Sequence, residues 1–399
     1  MQSTPVWRSR AWLEIDFDAL QANFRTACAL AAPAQVYAVL KADAYGHGAV
    51  PVARALQDAG ADLFAVACVR EGLALRRAGI RGEILVMGAL ERPLLPRALA
   101  AHLTLSLGSL ADAQALNAAA AQAVPPACTH IKIDTGFHRL GLDASLPGIV
   151  DTIAAMATLP LLRLEGLYAH LSLRTAQDDA QAALRLRTLW EALRLRGCAP
   201  PTLHLLDSIG LVRYPQWRFD RVRVGAFLYG VRPSRSQHQS FACLPTLALR
   251  ALVTRVHDAP AGAYVGYDET HPLAHPTRIA TLSVGYGDGV PRALSGKGWV
   301  SLHGQRAPIL GLLCMDQMMV NVSHIPHVAP GDTATLLGDA PDLDTYAALA
   351  GTNRNEALAR LTRRLPRVYL QGGAVVEVDD GEGDGETGDG GLRPHPPAF

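Results

Sequence analysis

The sequence predicts an α/β-plus-β protein: an N-terminal (β/α)8, TIM-like barrel followed by a mostly antiparallel β domain. Three observations carry the prediction. From about residue 16 to 229, eight short apolar runs alternate with amphipathic, Ala/Leu/Arg-rich stretches, the pattern of parallel strands joined by helices. Eight strands are the number that closes a barrel in somewhat over about two hundred residues. Beyond about residue 241 the helical period nearly vanishes, and short β-like segments separated by Gly, Pro and Asp take over. An open, doubly wound sheet is the alternative for the first part. No G-x-G-x-x-G follows the first strand, which weakens a dinucleotide-binding version of it.

Taken in order, the candidate strands are residues 36–41, 63–67, 83–86, 103–106, 129–134, 164–170, 203–206 and 221–224. Helical patterning lies between them, as at 49–59, 109–121 and 178–196. The β-like segments that follow are "LALRALVTRVH", "TRIATLSVGYG", "GWVSLHG", "APILGLLCMDQMMVNV" and "DTATLLG", with a final helical stretch at 343–364. The expected domains are a barrel over 14–243 and a β domain over 244–378 that includes residues 1–13. The acidic, Gly- and Pro-rich tail, 379–399, has little apolar surface to bury and is expected to be disordered.

Composition removes several classes of function. The 399-residue chain is 49% hydrophobic and 18% charged, enough for a sizeable core. Its 37 Lys+Arg against 36 Asp+Glu leave no electrostatic footprint for nucleic acid. No apolar run reaches membrane-spanning length, and "MQSTPVWRSRAWLEIDF" has no apolar signal-peptide core. The six cysteines are far apart and form no C-x-x-C pair, so neither a metal site nor a redox dithiol is expected, and the chain reads as cytoplasmic.

The stretch "VYAVLKADAYGHG" sets Lys41 at the end of an apolar strand. Burying an ammonium is costly. Lys41 is therefore either a snorkelling or ion-paired side chain, or a lysine used chemically, for example as a Schiff base. Other polar residues fall where barrel strands end, the functional rim of this fold: Tyr45, Arg139 in "KIDTGFHRLG", His170 in "EGLYAH", Asp207 and Ser208, with Arg223 inside the eighth strand. "DSIG" and "RVGA" lie after strands seven and eight, where such barrels bind phosphate; simple N-capping by Ser208 or Asp207 is the other reading. A phosphate site and a reactive lysine on one rim suggest pyridoxal phosphate (PLP).

At these residues the chain resembles the alanine racemase family, from "AWLEIDFDAL" through "RLPRVY". The likeness rests on an ordered set: "VLKADAYGHG", "KIDTGFHRLG", "EGLYAH", "RVGAFLYG", "VGYGDGVPR" and "GLLCMDQMMV". It implies that Lys41 is the chemically used lysine, carrying PLP and acting as the base on one face of the substrate α-carbon. Tyr267 matches the opposite-face base, which in the family reaches the site from a second subunit, so a head-to-tail homodimer with shared sites is implied. Tyr45 and Ser208 would hold the cofactor phosphate with the backbone of Gly225 and Ala226. Arg223 would face the pyridine nitrogen, Arg139 the phenolic oxygen and the substrate carboxylate, and His170 would neighbour Tyr267. Tyr286 and Met315 match residues lining the carboxylate site, with Asp316 beside them. Lys132 matches a lysine that is carbamylated in relatives and would then orient Arg139. The implied reaction interconverts L- and D-alanine, supplying D-alanine for peptidoglycan.

The sequence departs from the family at several positions. Gly266-Tyr267-Asp268 replaces the usual Ser-Tyr-Gly, and Asp207 replaces an asparagine before the phosphate serine. Asn355 and Arg363 stand where many relatives have tyrosines, the second of them at the active-site entrance. These changes bear on substrate preference: alanine is expected, with serine or a broader range as the alternative. A non-catalytic PLP-binding barrel protein is a further alternative, opposed by the second domain and Tyr267. PLP decarboxylases share the two-domain layout, but their phosphate-loop and C-terminal motifs are not evident.

Overall fold

The computed structural model describes residues 5–122, 126–233, 241–269 and 271–381. Barrel strand 1 is Gln35–Val39, strand 2 Leu63–Val66, strand 3 Glu83–Val86, strand 4 Thr104–Leu107, strand 5 Ala127–Asp134, strand 6 Leu162–Tyr168, strand 7 Thr202–His204 and strand 8 Arg221–Val224. Each pairs in parallel with the next, and strand 8 returns to strand 1 with Arg223 opposite Tyr37, so the ring has no edge. Helices cover the outside, which is why whole strands such as Leu63–Val66 are buried and read as continuous apolar runs. The covering helices start on side-chain caps: Asp16 accepts from the Ala19 N–H before Phe17–Ala31, and Thr175 from the Asp178 N–H before Ala176–Leu195. Strand 1 stops at Val39, so Lys41 lies beyond the strand, and strand 6 stops at Tyr168, two residues before His170.

The second domain is a nine-stranded sheet that folds back on itself through the long strand Leu247–Ala259. This strand pairs antiparallel with Thr277–Leu282, Thr333–Leu337 and Ala11–Asp16. Among the described residues, the sheet's parallel pairing is that of Ala11–Asp16 with Arg367–Gln371, Leu13 opposite Arg367. The helical stretch expected at 343–364 is instead two short helices, Leu343–Ala350 and Arg354–Ala359. Gly351 ends the first at φ +68°, and Asn353 caps the second by accepting from the Glu356 N–H. Asp379 ends the strand Ala374–Asp379 opposite Arg367, while residues 382–399 of the expected tail lie outside the described residues.

The last part of the chain reaches back to the barrel rim. Tyr369 stacks on Phe17, with ring centroids 5.0 Å apart, and its hydroxyl donates to the His47 carbonyl at 3.1 Å. The buried Arg367 donates from Nε to the Gly46 carbonyl at 3.1 Å. Both contacts clamp the segment that follows Lys41.

Candidate active site

Lys41 opens a single turn of left-handed helix. Ala42, Asp43, Ala44 and Tyr45 have φ of +53°, +54°, +53° and +55°. For residues with a Cβ this conformation costs about 1–2 kcal/mol each, so surrounding bonds must hold it. Glu71 accepts from the Ala42 N–H at 2.7 Å, Asp43 accepts from the Ala49 N–H at 2.8 Å, and the Ala44 N–H donates to the Leu40 carbonyl. Gly46 and Gly48 let the turn exit beneath the second domain. A Cβ on Gly46 would meet the Leu358 carbonyl oxygen at 2.5 Å, and one on Gly48 the Tyr369 hydroxyl at 2.1 Å. The result turns Lys41 and Tyr45 toward the same cavity, with Tyr45 stacked on Tyr229 at 4.7 Å.

That cavity, about 400 Å³, lies where the barrel strands end. All the barrel residues singled out in the sequence line it: Lys41, Tyr45, Lys132, Arg139, His170, Ser208, Arg223, Gly225 and Ala226. It thus gathers two lysines and two arginines, with Asp207 as the carboxylate among its lining residues, and suits a ligand carrying several negative charges. A roomier cavity, about 560 Å³, lies between barrel and second domain, but none of these residues lines it.

Each group is fixed by its neighbours. Asp134 accepts from the backbone N–H groups of Gly136, Phe137, His138 and Arg139, folding the loop that presents Arg139 over the Phe137 ring. Arg223 is buried; one guanidinium nitrogen donates to His204 Nδ1 at 2.7 Å and the other to the Ala169 and Leu205 carbonyls. Ser208 Oγ accepts from the Gly225 N–H at 3.0 Å and the Phe227 N–H at 3.3 Å. Asp207, not Ser208, caps the helix Ser208–Arg213, so the serine is left to the loop.

Burial and like charge hold two amines toward their neutral forms. Lys41 is lowered from its ordinary value by burial and then by Arg139. Lys132, its Nζ donating to the Ile133 carbonyl above the Tyr168 ring, is lowered to about 7 by burial, Arg223 and Arg139. His170 falls to about 2 through burial and the same cations, so it is a neutral imidazole at any physiological pH.

The remaining sequence candidates sit elsewhere. Tyr267, Tyr286 and Met315, respectively 61%, 40% and 52% exposed, lie on the second domain. The Tyr286 and Gly287 N–H groups donate to the Cys314 and Met315 carbonyls, tying two of these segments together, and Asp316 pairs with Arg364 at 2.6 Å. Tyr267 lies between left-handed Gly266 (φ +82°) and Asp268 (φ +62°). None of Tyr267, Tyr286, Met315 and Asp316 lines this chain's own cavity. Of the two C-terminal departures, Asn355 lines the cavity, whereas Arg363 is exposed and pairs with Asp43 at 3.4 Å.

Sequence reading missed Tyr168 and His204. Tyr168 hydrogen-bonds Ser106 at 2.7 Å and stacks parallel on His204 with 4.7 Å between centroids. Tyr168 stands two residues before His170, a spacing that puts both on one side of the chain and was the available signal.

The comparisons with known proteins fit this layout. Residues 15–233 match the family model "Alanine racemase, N-terminal domain" and residues 246–369 "Alanine racemase, C-terminal domain". The alanine racemase of Nostoc sp. is 37% identical over 377 residues, covering 92% of this chain and 97% of the relative. A solved alanine racemase from Clostridium difficile superposes with a TM-score of 0.90 at 29% identity, covering 94% of this chain and 99% of the other. One from Bartonella henselae, solved with covalently bound pyridoxal phosphate, gives 0.80 at 27% identity, covering 91% and 100%.

Proposed function

The chain belongs to the alanine racemase family, and from that premise we propose that it interconverts L- and D-alanine with PLP and two opposed bases. The observation that carries the reading is the gathering of Lys41, Tyr45, Arg139, His170, Ser208 and Arg223 around one cavity.

The residues present fit the cofactor. A Cβ on Gly225 would come within 2.6 Å of the Tyr45 hydroxyl, so glycine lets that hydroxyl close on the Gly225 backbone, grouping it with Ser208 where a phosphate would be held. Ala226 borders the same space. Arg223, pinned by His204 and two carbonyls, would face the pyridine nitrogen and keep it largely unprotonated. When bound, PLP supplies the electron sink that makes the α-proton removable. Lys41, held toward its neutral amine, exchanges a proton on one face, and Tyr267 of the partner subunit exchanges it on the other. Neutral His170 steadies that tyrosine without adding charge, and Arg139 binds the carboxylate. Tyr286 and Met315, on the second domain with Tyr267 and like it absent from their own chain's cavity, would complete the carboxylate end of the other subunit's site, with Asp316 behind them. Sharing sites in this way requires a homodimer, because neither chain alone brings both bases to one cavity.

The substrate test is turnover on a panel of L-amino acids read by chiral chromatography. L-Alanine is expected to give the highest kcat/KM, with serine slower. A cavity built for a methyl group rejects an added hydroxyl by only on the order of 100-fold, and Asn355 leaves a polar wall. A kcat/KM for serine or lysine above that for alanine overturns the assignment, and Asn355→Tyr is then the first change to make.

Lys132 gives a second test. Its neutral amine attacks the carbon of CO2, an N–C bond forms, one C–O π pair moves to oxygen, and the amine proton leaves to solvent. The resulting anion orients Arg139. Because the lysine titrates at about 7, its neutral fraction grows as pH rises through that value and shrinks below it. With 13C-bicarbonate, a carbamate signal is expected above pH 7, fading on acidification and absent in Lys132→Ala. Its absence from the unaltered protein at pH 8 removes the carbamate from the mechanism.

A further inference from the structure

Behind Arg223 a line of buried polar groups runs down through the barrel, away from the cavity. Arg223 Nη1 lies 2.7 Å from His204 Nδ1. His204 Nε2 lies 2.8 Å from His130 Nδ1. His130 Nε2 faces Glu83 Oε1 at 3.4 Å, an ion-pair distance too long or too oblique for a hydrogen bond, and has no hydrogen-bond partner among the described residues. Both imidazoles are fully buried. Glu83 begins barrel strand 3 and accepts from the Tyr37 hydroxyl at 2.6 Å and from Arg221, of strand 8, at 2.8 Å.

Proton positions along the line follow from the donor at one end and the acceptor at the other. A guanidinium only donates, so His204 Nδ1 must accept. A neutral imidazole then carries its proton on Nε2, which must donate to His130 Nδ1. His130 in turn carries its proton on Nε2, where the group it faces is a carboxylate. The two ends agree: Arg223 needs a lone pair at one end and Glu83 a proton at the other. Neither histidine can become an imidazolium without setting two N–H groups against each other.

Resting on the PLP reading above, we propose that Glu83 is a positioning residue for Arg223, acting through His130 and His204. Its carboxylate selects the Nε2–H form of both rings and so keeps a lone pair aimed at the guanidinium that faces the pyridine nitrogen. Without it, the rings gain access to the opposite tautomers, in which a His204 Nδ1–H points at an Arg223 N–H and pushes the guanidinium out of place. Tyr37 and Arg221 hold the carboxylate, and Arg221 lies over the Tyr37 ring at 5.3 Å.

The test separates this role from simple ion pairing. Glu83→Leu alone strands the part-buried Arg221, so Glu83→Leu/Arg221→Leu is compared with Arg221→Leu, which keeps Glu83. The readouts are the ring 15N shifts of His130 and His204 in the full-length protein, loaded with PLP, and its steady-state kinetics. Nε2–H alone is expected on both rings in the unaltered protein and in Arg221→Leu. In the double variant the Nδ1–H form should appear, and kcat should fall by about 10-fold, the lower end of what outer-shell partners carry at metal sites, with little change in KM. Glu83→Gln, whose amide oxygen can still face His130 Nε2, should restore the single tautomer. Identical ring shifts and kcat in the double variant and Arg221→Leu overturn the proposal. If none of the proteins takes up PLP, the functional reading fails, and the ring shifts of the unloaded protein still decide the role of Glu83.

Discussion

Lys41→Ala is expected to abolish racemisation, lowering kcat by at least about 10⁴-fold, because in the proposed mechanism it removes both the covalent anchor of the cofactor and one of two bases. The sequence makes the accompanying chemical test unusually clear. It contains three lysines, Lys41, Lys132 and Lys297. Borohydride reduction of the yellow protein followed by peptide mapping should place the pyridoxyl label on Lys41. Lys297 is exposed on the second domain, and Lys132 is engaged with the Ile133 carbonyl. Label on either of them sinks the assignment. Loss of a general base alone, with the cofactor still bound non-covalently, would leave a visible PLP chromophore. The variant's spectrum therefore separates the two roles of the same side chain.

Tyr267→Phe removes the other proposed base while keeping the ring, and a fall in kcat of about 10²–10⁴-fold is expected. The informative experiment mixes the two inactive proteins. In a mixed dimer of Lys41→Ala and Tyr267→Phe chains, one of the two sites draws Lys41 from one chain and Tyr267 from the other. Random exchange makes half the dimers mixed, so activity should recover to about a quarter of the unaltered value. No recovery, with subunit exchange verified by a tag on one chain, means that Tyr267 does not act across a dimer. The geometry motivating the test is that Tyr267 lies on the second domain and does not line its own chain's cavity.

Much of this site was legible because a barrel's chemistry gathers where its strands end, and strand ends follow from where apolar runs stop. Lys41, Arg139, His170 and Ser208 were found that way. The left-handed turn was not: Ala42-Asp43-Ala44-Tyr45 contains no glycine, and local preference favours the right-handed form. Beside its local bonds, contacts from Glu71 and the distant Arg367 and Tyr369 hold it, and those three are not local in sequence. His204, His130 and Glu83 were hidden for another reason. In strands covered on both faces, a polar residue lies in an apolar run with no alternation to mark it. The stretch 343–364 read as one helix because the composition on either side of Gly351 is alike. The resemblance put Arg363 at the active-site entrance, whereas of these two residues it is Asn355 that lines the cavity.

The pairing of Ala11–Asp16 with Arg367–Gln371 imposes an order in time on the making of this enzyme. During synthesis the first strand of the chain leaves the ribosome long before its parallel neighbour exists. At about 5–20 residues per second the wait is on the order of 20–70 s. The barrel's strands all emerge within that interval and need nothing later to close their ring. The clamp on the left-handed turn comes later: Arg367 and Tyr369 belong to the strand Arg367–Gln371, made after every barrel strand. A nascent chain therefore passes through a period in which every barrel strand has been made and the Arg367 and Tyr369 contacts have not. The contacts that hold the turn after Lys41 are complete only once residue 369 has been made, so a chain cut before Arg367 lacks the clamp of Arg367 and Tyr369.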